Sequence, residues 1–178
     1  PKATHLAAYL LMMRGNKMSY MKLIKLMYLV DRQSLLKRGR PITFDCYYSM
    51  KYGPVLSRTH DLITEDIAPE ETTLWSKYIS NPMGNKEVRL KKKPSFDELS
   101  NAEISIIKDI FRKYGHMKRW ELVDLLHKNL PEWKDTKNSS IPIHYKDILK
   151  TSKKSKKEIE HIISDIESIS TMDDILET

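Results

Sequence analysis

Apolar positions along the 178-residue chain fall mostly at helical spacing, with extended segments between. Leu6, Leu10 and Met13 predict a first helix over residues 4–14, ended by Gly15-Asn16. Ser19 starts a longer helix to about Lys37, stopped by Gly39 and Pro41. Between Tyr20 and Val30 only Lys22 and Lys25 interrupt the apolar run, and a helix apolar nearly all round is a central, buried one. At about 100° per residue, Lys22, Lys25 and Arg32 share one stripe, expected to face solvent. Asp31 falls on the opposite side with Ile24, Met27 and Leu35, and Tyr28 lies at the boundary. A carboxylate on an apolar face must find a partner or neutralise. Arg40, Arg58 and the backbone N–H groups after Gly39 are candidates, so Asp31 reads as the tie between that loop and the helix. A catalytic or partner-binding acid is the alternative.

Residues 40–52 are rich in β-branched and aromatic side chains between Pro41 and Gly53-Pro54, and predict one or two short extended segments. A helix is expected from Val55 to about Ile67, with Leu56, Thr59 or His60, and Ile63 facing inward, followed by Pro69. Residues 71–82 suggest a short helix carrying Leu74, Trp75, Tyr78 and Ile79, and residues 81–85 a turn. Glu87 to Lys93 alternates like a strand, with the 42–50 segment as its candidate partner. Ser100 and Glu103 form a capping box for a helix with Ile104, Ile107, Ile110 and Phe111 inside and Gly115 as its stop. Another helix runs from Trp120 to Lys128, then an irregular connector over 129–146. Ser155 and Glu158 open a last helix with Ile159, Ile162, Ile163 and Ile166, and Thr171–Glu177 a frayed terminal turn. The expected fold is α+β and mostly α-helical. It is a compact helical domain around a buried central helix with a small antiparallel β element, residues 1–150. A helical extension over 151–178 packs on it or flanks it.

Charge changes this picture in one respect. The net +7 is uneven: Lys and Arg outnumber Asp and Glu 11 to 2 in residues 1–60, whereas acids lead 5 to 1 in 61–80 and 7 to 4 in 151–178. An acidic partner is therefore one implication. A single Cys, Cys46, excludes an internal disulfide framework and fits a reducing cytoplasm. Cys46 reads as a small core residue rather than a nucleophile paired with His60 or His127. No apolar run approaches the roughly 20 residues that span a bilayer. The apolar start is broken at Arg14 and lacks a cleavage pattern, which reads as no signal peptide and no membrane partner. No phosphate-cradling glycine loop, no CxxC and no His pair at ligand spacing occurs, so no metal and no cofactor is expected. Asp61, Glu65 and Asp66 read as a solvated acidic face. The chain carries no enzyme signature.

Two binding readings remain. Helices joined at Gly115-His116-Met117 are spaced like a helix-turn-helix, and Arg112, Lys113, Lys118, Arg119 and Lys128 could meet phosphates. Glu121 and Asp124 on the second helix argue against nucleic acid. The other reading is a protein-binding module built on Tyr47, Tyr48, Met50, Tyr52, Pro54 and Arg58, since Tyr, Met and Arg are enriched at interface cores.

The segment KLIKLMYLVDRQSLLKRGRPITFDCYYSMKYGPVLSRTHDLI resembles the opening of the SocA-like antitoxin family, the Panacea domain. The elements that match are Lys22 to Asp31, Gly39, Pro41 and Ile42, Tyr47 to Met50, and Gly53, Pro54 and Val55. Trp120, Leu122, His127-Lys128 and Trp133 resemble the family's later portion. The resemblance implies an antitoxin that neutralises a small protein toxin by direct binding. It also implies a role, in some members, as an adaptor delivering the toxin to a cytoplasmic AAA+ protease. Relatives occur in phage and mobile-element genes, and the domain is not known for catalysis. A DNA-binding transcriptional regulator, or a phage or mobile-element regulatory protein, is the alternative. Within the motif Lys25, Tyr28, Asp31, Gly39, Pro41, Gly53 and Pro54 read as scaffold. The partner-facing set is Tyr47, Tyr48, Lys51, Tyr52 and Arg58, expected to be exposed.

Overall fold

The structure, a computed structural model, describes residues 1–64, 73–83 and 86–176. Its elements, in chain order, are α1 (Lys2–Met13), β1 (Lys17–Ser19), α2 (Tyr20–Arg38), β2 (Tyr47–Met50), β3 (Gly53–Leu56), α3 (Ser57–Thr64) and α4 (Leu74–Tyr78). They continue with β4 (Ile79–Met83), β5 (Glu87–Leu90), α5 (Asn101–Tyr114), α6 (Arg119–Asn129), β6 (Ile141–Ile143), α7 (Tyr145–Leu149) and α8 (Lys156–Leu176). The fold is α+β and mostly α-helical, with two three-stranded antiparallel sheets, β1-β5-β4 and β3-β2-β6.

Helix α2 is the axis. Every residue from Lys22 to Asp31 is buried, and the helix packs against α1, α5, α6, α7 and β3. It ends at Gly39, which takes the left-handed conformation (φ 73°) that glycine adopts at least cost. Helix α5 is clamped to the bundle through Glu103. Its carboxylate closes the capping box with Ser100 and accepts from Lys2 at 2.8 Å, with Arg38 at 3.3 Å. Burial alone would raise the Glu103 pKa, but these bonds outweigh it and hold the group at about 2. Residues Ile106, Ile107, Ile110 and Phe111 form the buried stripe of α5, with Ile104 only part-buried. A side chain at Gly115 would meet the Phe111 carbonyl at 2.5 Å, so the turn into α6 is closed to larger residues.

Several expectations are corrected. Lys22, Lys25 and Arg32 do not form a solvent stripe: the two lysines are 6% and 2% exposed, and Arg32 lies against a buried carboxylate. Between Lys22 and Asp31 the helix has no solvent side, because that stretch is covered all round. The 87–90 strand pairs with β1 and β4, not with the 42–50 segment. Tyr47–Met50 instead pairs with β3 and with β6, a strand inside the stretch expected to be an irregular connector. Val55 and Leu56 belong to β3, and the following helix begins only at Ser57. Its start is set by Asp45, whose buried carboxylate accepts from the N–H groups of Arg58 (2.9 Å) and Thr59 (3.0 Å) and from the Thr59 hydroxyl (2.7 Å). Helix α4 is shorter than expected, since Ile79 already starts β4. Cys46 is exposed rather than buried. Helix α8 runs on to Leu176 with no separate terminal turn, and buries Ile159 and Ile166. The expected helix end near Ile67, the acids Glu65 and Asp66, Pro69, Gly84-Asn85 and Glu177 lie outside the described residues.

Glu132 is a clamp that no local pattern of the sequence reveals. It is buried, and its carboxylate accepts from the Tyr28 hydroxyl at 2.9 Å and from Arg32 at 2.6 and 3.3 Å, joining α2 to the chain after α6. Removing one partner of a buried charge pair leaves the other uncompensated. Glu132→Ala is therefore expected to lower stability by about 3 kcal/mol in denaturant unfolding, whereas Glu160→Ala on the exposed face of α8 should change it little.

Candidate partner-binding site

The β2–β3 hairpin is held from beneath by polar groups. Lys25 Nζ donates to the Pro54 carbonyl at 2.8 Å. Gly53 sits directly over that side chain at φ 103°, where a Cβ would lie 3.3 Å from Lys25 Cε. Trp133 Nε1 donates to the Met50 carbonyl at 3.1 Å, and the Lys134 N–H donates to Ser49 Oγ at 3.1 Å. The Trp133 ring is itself stacked on His127 at 3.8 Å. Pro54 lies on an edge strand, where its missing N–H costs no ladder bond.

Asp31 performs the same task for the loop leading into the hairpin. One oxygen accepts from the Ile42 N–H (3.0 Å) and the Thr43 N–H (3.1 Å). The other accepts from the Thr43 hydroxyl and from the Tyr47 hydroxyl at 3.0 Å. Neither Arg40 nor Arg58 takes part. Burial raises the Asp31 pKa to about 6, against the opposing pull of these four bonds. Lys25 is pushed down to about 7, also by burial.

The expected partner-facing residues divide into three places. Tyr47 is not exposed: it is 2% accessible, bonded to Asp31, and packed edge-on between Tyr28 and Tyr145. Alternation along β2 explains this, since Tyr47 and Ser49 point inward while Tyr48 and Met50 are part-buried. Tyr48 and Arg58 line a cavity of about 290 Å³ with Cys46, His144 and Tyr145. Lys51 and Tyr52 lie across the hairpin, on a groove of about 270 Å³. Its apolar floor is Tyr20, Met21 and Ile24 of α2 with Met50 and Val55, and Lys25 lines it as a buried cation.

At the mouth of this groove Tyr52 (44% exposed) meets Trp120 (47% exposed) edge to face, ring centroids 5.4 Å apart. Lys51 lies over the Tyr52 ring and Arg119 over the Trp120 ring. Sequence reasoning did not place Trp120 at the site. The available signal was its position beside a Lys-Arg pair on a helix whose inner stripe is already filled by Leu122, Val123 and Leu126. At the α5–α6 corner α6 buries that stripe and leaves Glu121 and Asp124 exposed beside Lys118 and Arg119. Among the described residues no three His, Cys, Asp or Glu side chains gather as a metal site, and no helix is long and apolar enough to cross a membrane.

Two substitutions test the buried seam. Asp31→Asn keeps the shape but offers donors where the loop supplies donors, and should cost about 2 kcal/mol, a fall in Tm of roughly 4–8 °C for a chain of this size. For Lys25 the sign runs upward with pH. The unfolded chain keeps this proton to about 10.5 and the folded one only to about 7, so between those values the unfolded state binds more protons. Raising pH from 7 to 9 should stabilise the wild type relative to Lys25→Met by about 2 kcal/mol. Parallel pH–stability curves would remove Lys25 as a buried titrating group.

The profile of the family described as antitoxin SocA-like, Panacea domain, matches residues 23–134. No curated protein and no solved structure matches the chain. The matched span is well over half of the sequence, and runs from within α2 through the hairpin and α6 to Lys134. It holds Lys25, Asp31, Gly53, Trp120, Glu132 and Trp133, the residues that build the seam and the groove. The chain belongs to the SocA-like antitoxin family of Panacea-domain proteins.

Proposed function

We propose that the protein is the antitoxin of a toxin–antitoxin pair, and that it neutralises a small protein toxin in the cytoplasm by direct binding. The single observation that carries the site assignment is the exposed Tyr52–Trp120 pair at the mouth of an apolar groove. Trp, Tyr and Arg dominate interface hot spots, and an aromatic pair already in ring contact loses little freedom on binding. The occupant is a toxin segment with apolar side chains for the groove floor. It brings an acidic side chain toward Lys51, the exposed cation that lines the groove. Tyr48 and Arg58, across the hairpin, form a second and smaller contact. Residues 1–150 are the antitoxin domain in this reading, with 151–178 a flanking helical addition that leaves the groove open. The family's antitoxin character supports a binding role rather than catalysis.

Delivery of the bound toxin to an AAA+ protease is the further step. It predicts that the toxin's half-life in cells shortens when the antitoxin is present and recovers in cells lacking the protease. An unchanged half-life would leave sequestration alone.

The docking face is tested by co-expression with the toxin and by direct titration. Tyr52→Ala with Trp120→Ala should weaken binding by at least about 30-fold, equivalent to about 2 kcal/mol, and abolish rescue of growth. Tm should hardly change, because both rings are exposed. Full neutralisation by that double variant would sink the assignment. Arg58→Glu tests the second contact and should give a smaller loss.

A further inference from the structure

The N-terminal end of α2 opens into a second cavity, of about 370 Å³, which shares no lining residue with the groove. Five cations converge there. Arg14 and Lys17 come from the turn and strand after α1, Lys22 from the first turn of α2, and Lys118 and Arg119 from the start of α6. Two basic segments that are about 100 residues apart in sequence are thus folded onto one another, and part of the excess charge of residues 1–60 is concentrated here.

The charge is not cancelled locally. Lys22 Nζ donates to the carbonyls of Gly115 and Met117, both at 2.6 Å, which occupies two of its three protons but supplies no negative charge. Two acids face the cavity region. Glu87 lines it, ion-paired with the exposed Arg89 at 3.3 Å but with its buried Oε1 making no hydrogen bond among the described residues. Glu121, which acts on Lys22, accepts from the Lys118 N–H at 2.9 Å. Burial, then the neighbouring Arg14, lowers the Lys22 pKa, with Glu121 only partly opposing them. Helix α2 begins here with no acidic residue in its first turn, so its positive end adds to the field. Its cap, Ser19, has a buried hydroxyl with no hydrogen-bond partner among the described residues.

We propose that this cavity binds a phosphate group, carried by a nucleotide or by a nucleic-acid strand. The volume falls within the roughly 300–1,000 Å³ of small-molecule sites. Guanidinium and ammonium donors around a hydroxyl suit the three acceptor oxygens of a phosphate, which Arg binds bidentately and Lys as a point charge. Arg119 links the cavity to the exposed indole of Trp120, 5.3 Å away, on which a base attached to the bound phosphate can stack.

The test is calorimetric titration of the full chain with three probes: pyrophosphate, a nucleoside triphosphate and a short single-stranded oligonucleotide. Each is measured at low and at physiological salt. Lys17→Glu with Lys118→Glu reverses two exposed cavity charges, and Lys153→Glu with Lys156→Glu, just before and at the start of α8, is the charge-matched control. The wild type is expected to bind at least one probe at millimolar concentration or tighter. The cavity double variant should lose at least tenfold in affinity, while the control stays within about threefold. A one-to-one nucleotide isotherm identifies a free ligand. Oligonucleotide binding that falls steeply with salt identifies a strand. Binding of none of the three, or equal losses in the two double variants, overturns the proposal.

Discussion

A charge or hydrogen-bonding group taken out of water must find a partner inside the protein, and in this molecule that requirement falls on one helix. Helix α2 buries Lys22, Lys25, Tyr28, Asp31 and, in part, Arg32 among its apolar residues. Each reaches a segment outside the helix: the α5–α6 turn, the β2–β3 hairpin, Glu132, and the loop after Gly39. Apolar burial supplies most of the driving force for packing but is non-directional. An unpaired buried lysine or carboxylate is costly in any other arrangement. These five side chains therefore act as pins that select one arrangement of the surrounding loops.

That constraint explains why the candidate surfaces can be built from residues that contribute little to stability. The hairpin is held from within by Lys25, Trp133 and, through Tyr47, Asp31. Lys51 and Tyr52 at its tip are then free to face outward, and Trp120 can stand exposed on a helix whose other side is anchored. The same helix supplies, within its first two turns, both the groove floor and one wall of the basic cavity. The two sites differ in character: one is apolar and aromatic, the other strongly cationic. The charge excess of the first third therefore has several destinations. Lys25 holds the hairpin and lines the groove, while Lys22 holds the α5–α6 turn and lines the basic cavity with Arg14 and Lys17.

Much of this organisation is legible in the sequence, for identifiable reasons. Ser19 and Gly39 mark the ends of α2, the Ser100–Glu103 and Ser155–Glu158 pairs mark helix starts, and Asp31 on an apolar face requires a loop to satisfy it. All of these are local signals. Helical periodicity assigns a solvent side to α2 because it assumes that every helix has one, and so misplaces Lys22 and Lys25. Strands of three or four residues, such as β1 and β6, are too short for alternation to reveal, and with them the true partners of β2 and β5 were hidden. Glu132 and Trp120 are recognisable only from contacts across roughly 70 to 100 residues of chain, which spacing within a window does not contain. Tyr47 and Tyr52 look alike in sequence. The pleat of β2 and the hydroxyl's bond to Asp31 separate them.

The central claim is that the polar side chains of α2 hold the hairpin in place, rather than merely adding to overall stability. Native-state hydrogen exchange, residue by residue, in the wild type and in Asp31→Asn tests it most directly. The account predicts faster exchange at Ile42, Thr43 and the amides of β2 and β3, with the central amides of α5 unchanged under conditions where exchange is local. Uniform acceleration across the hairpin and α5, or no change at Ile42 and Thr43, would contradict it.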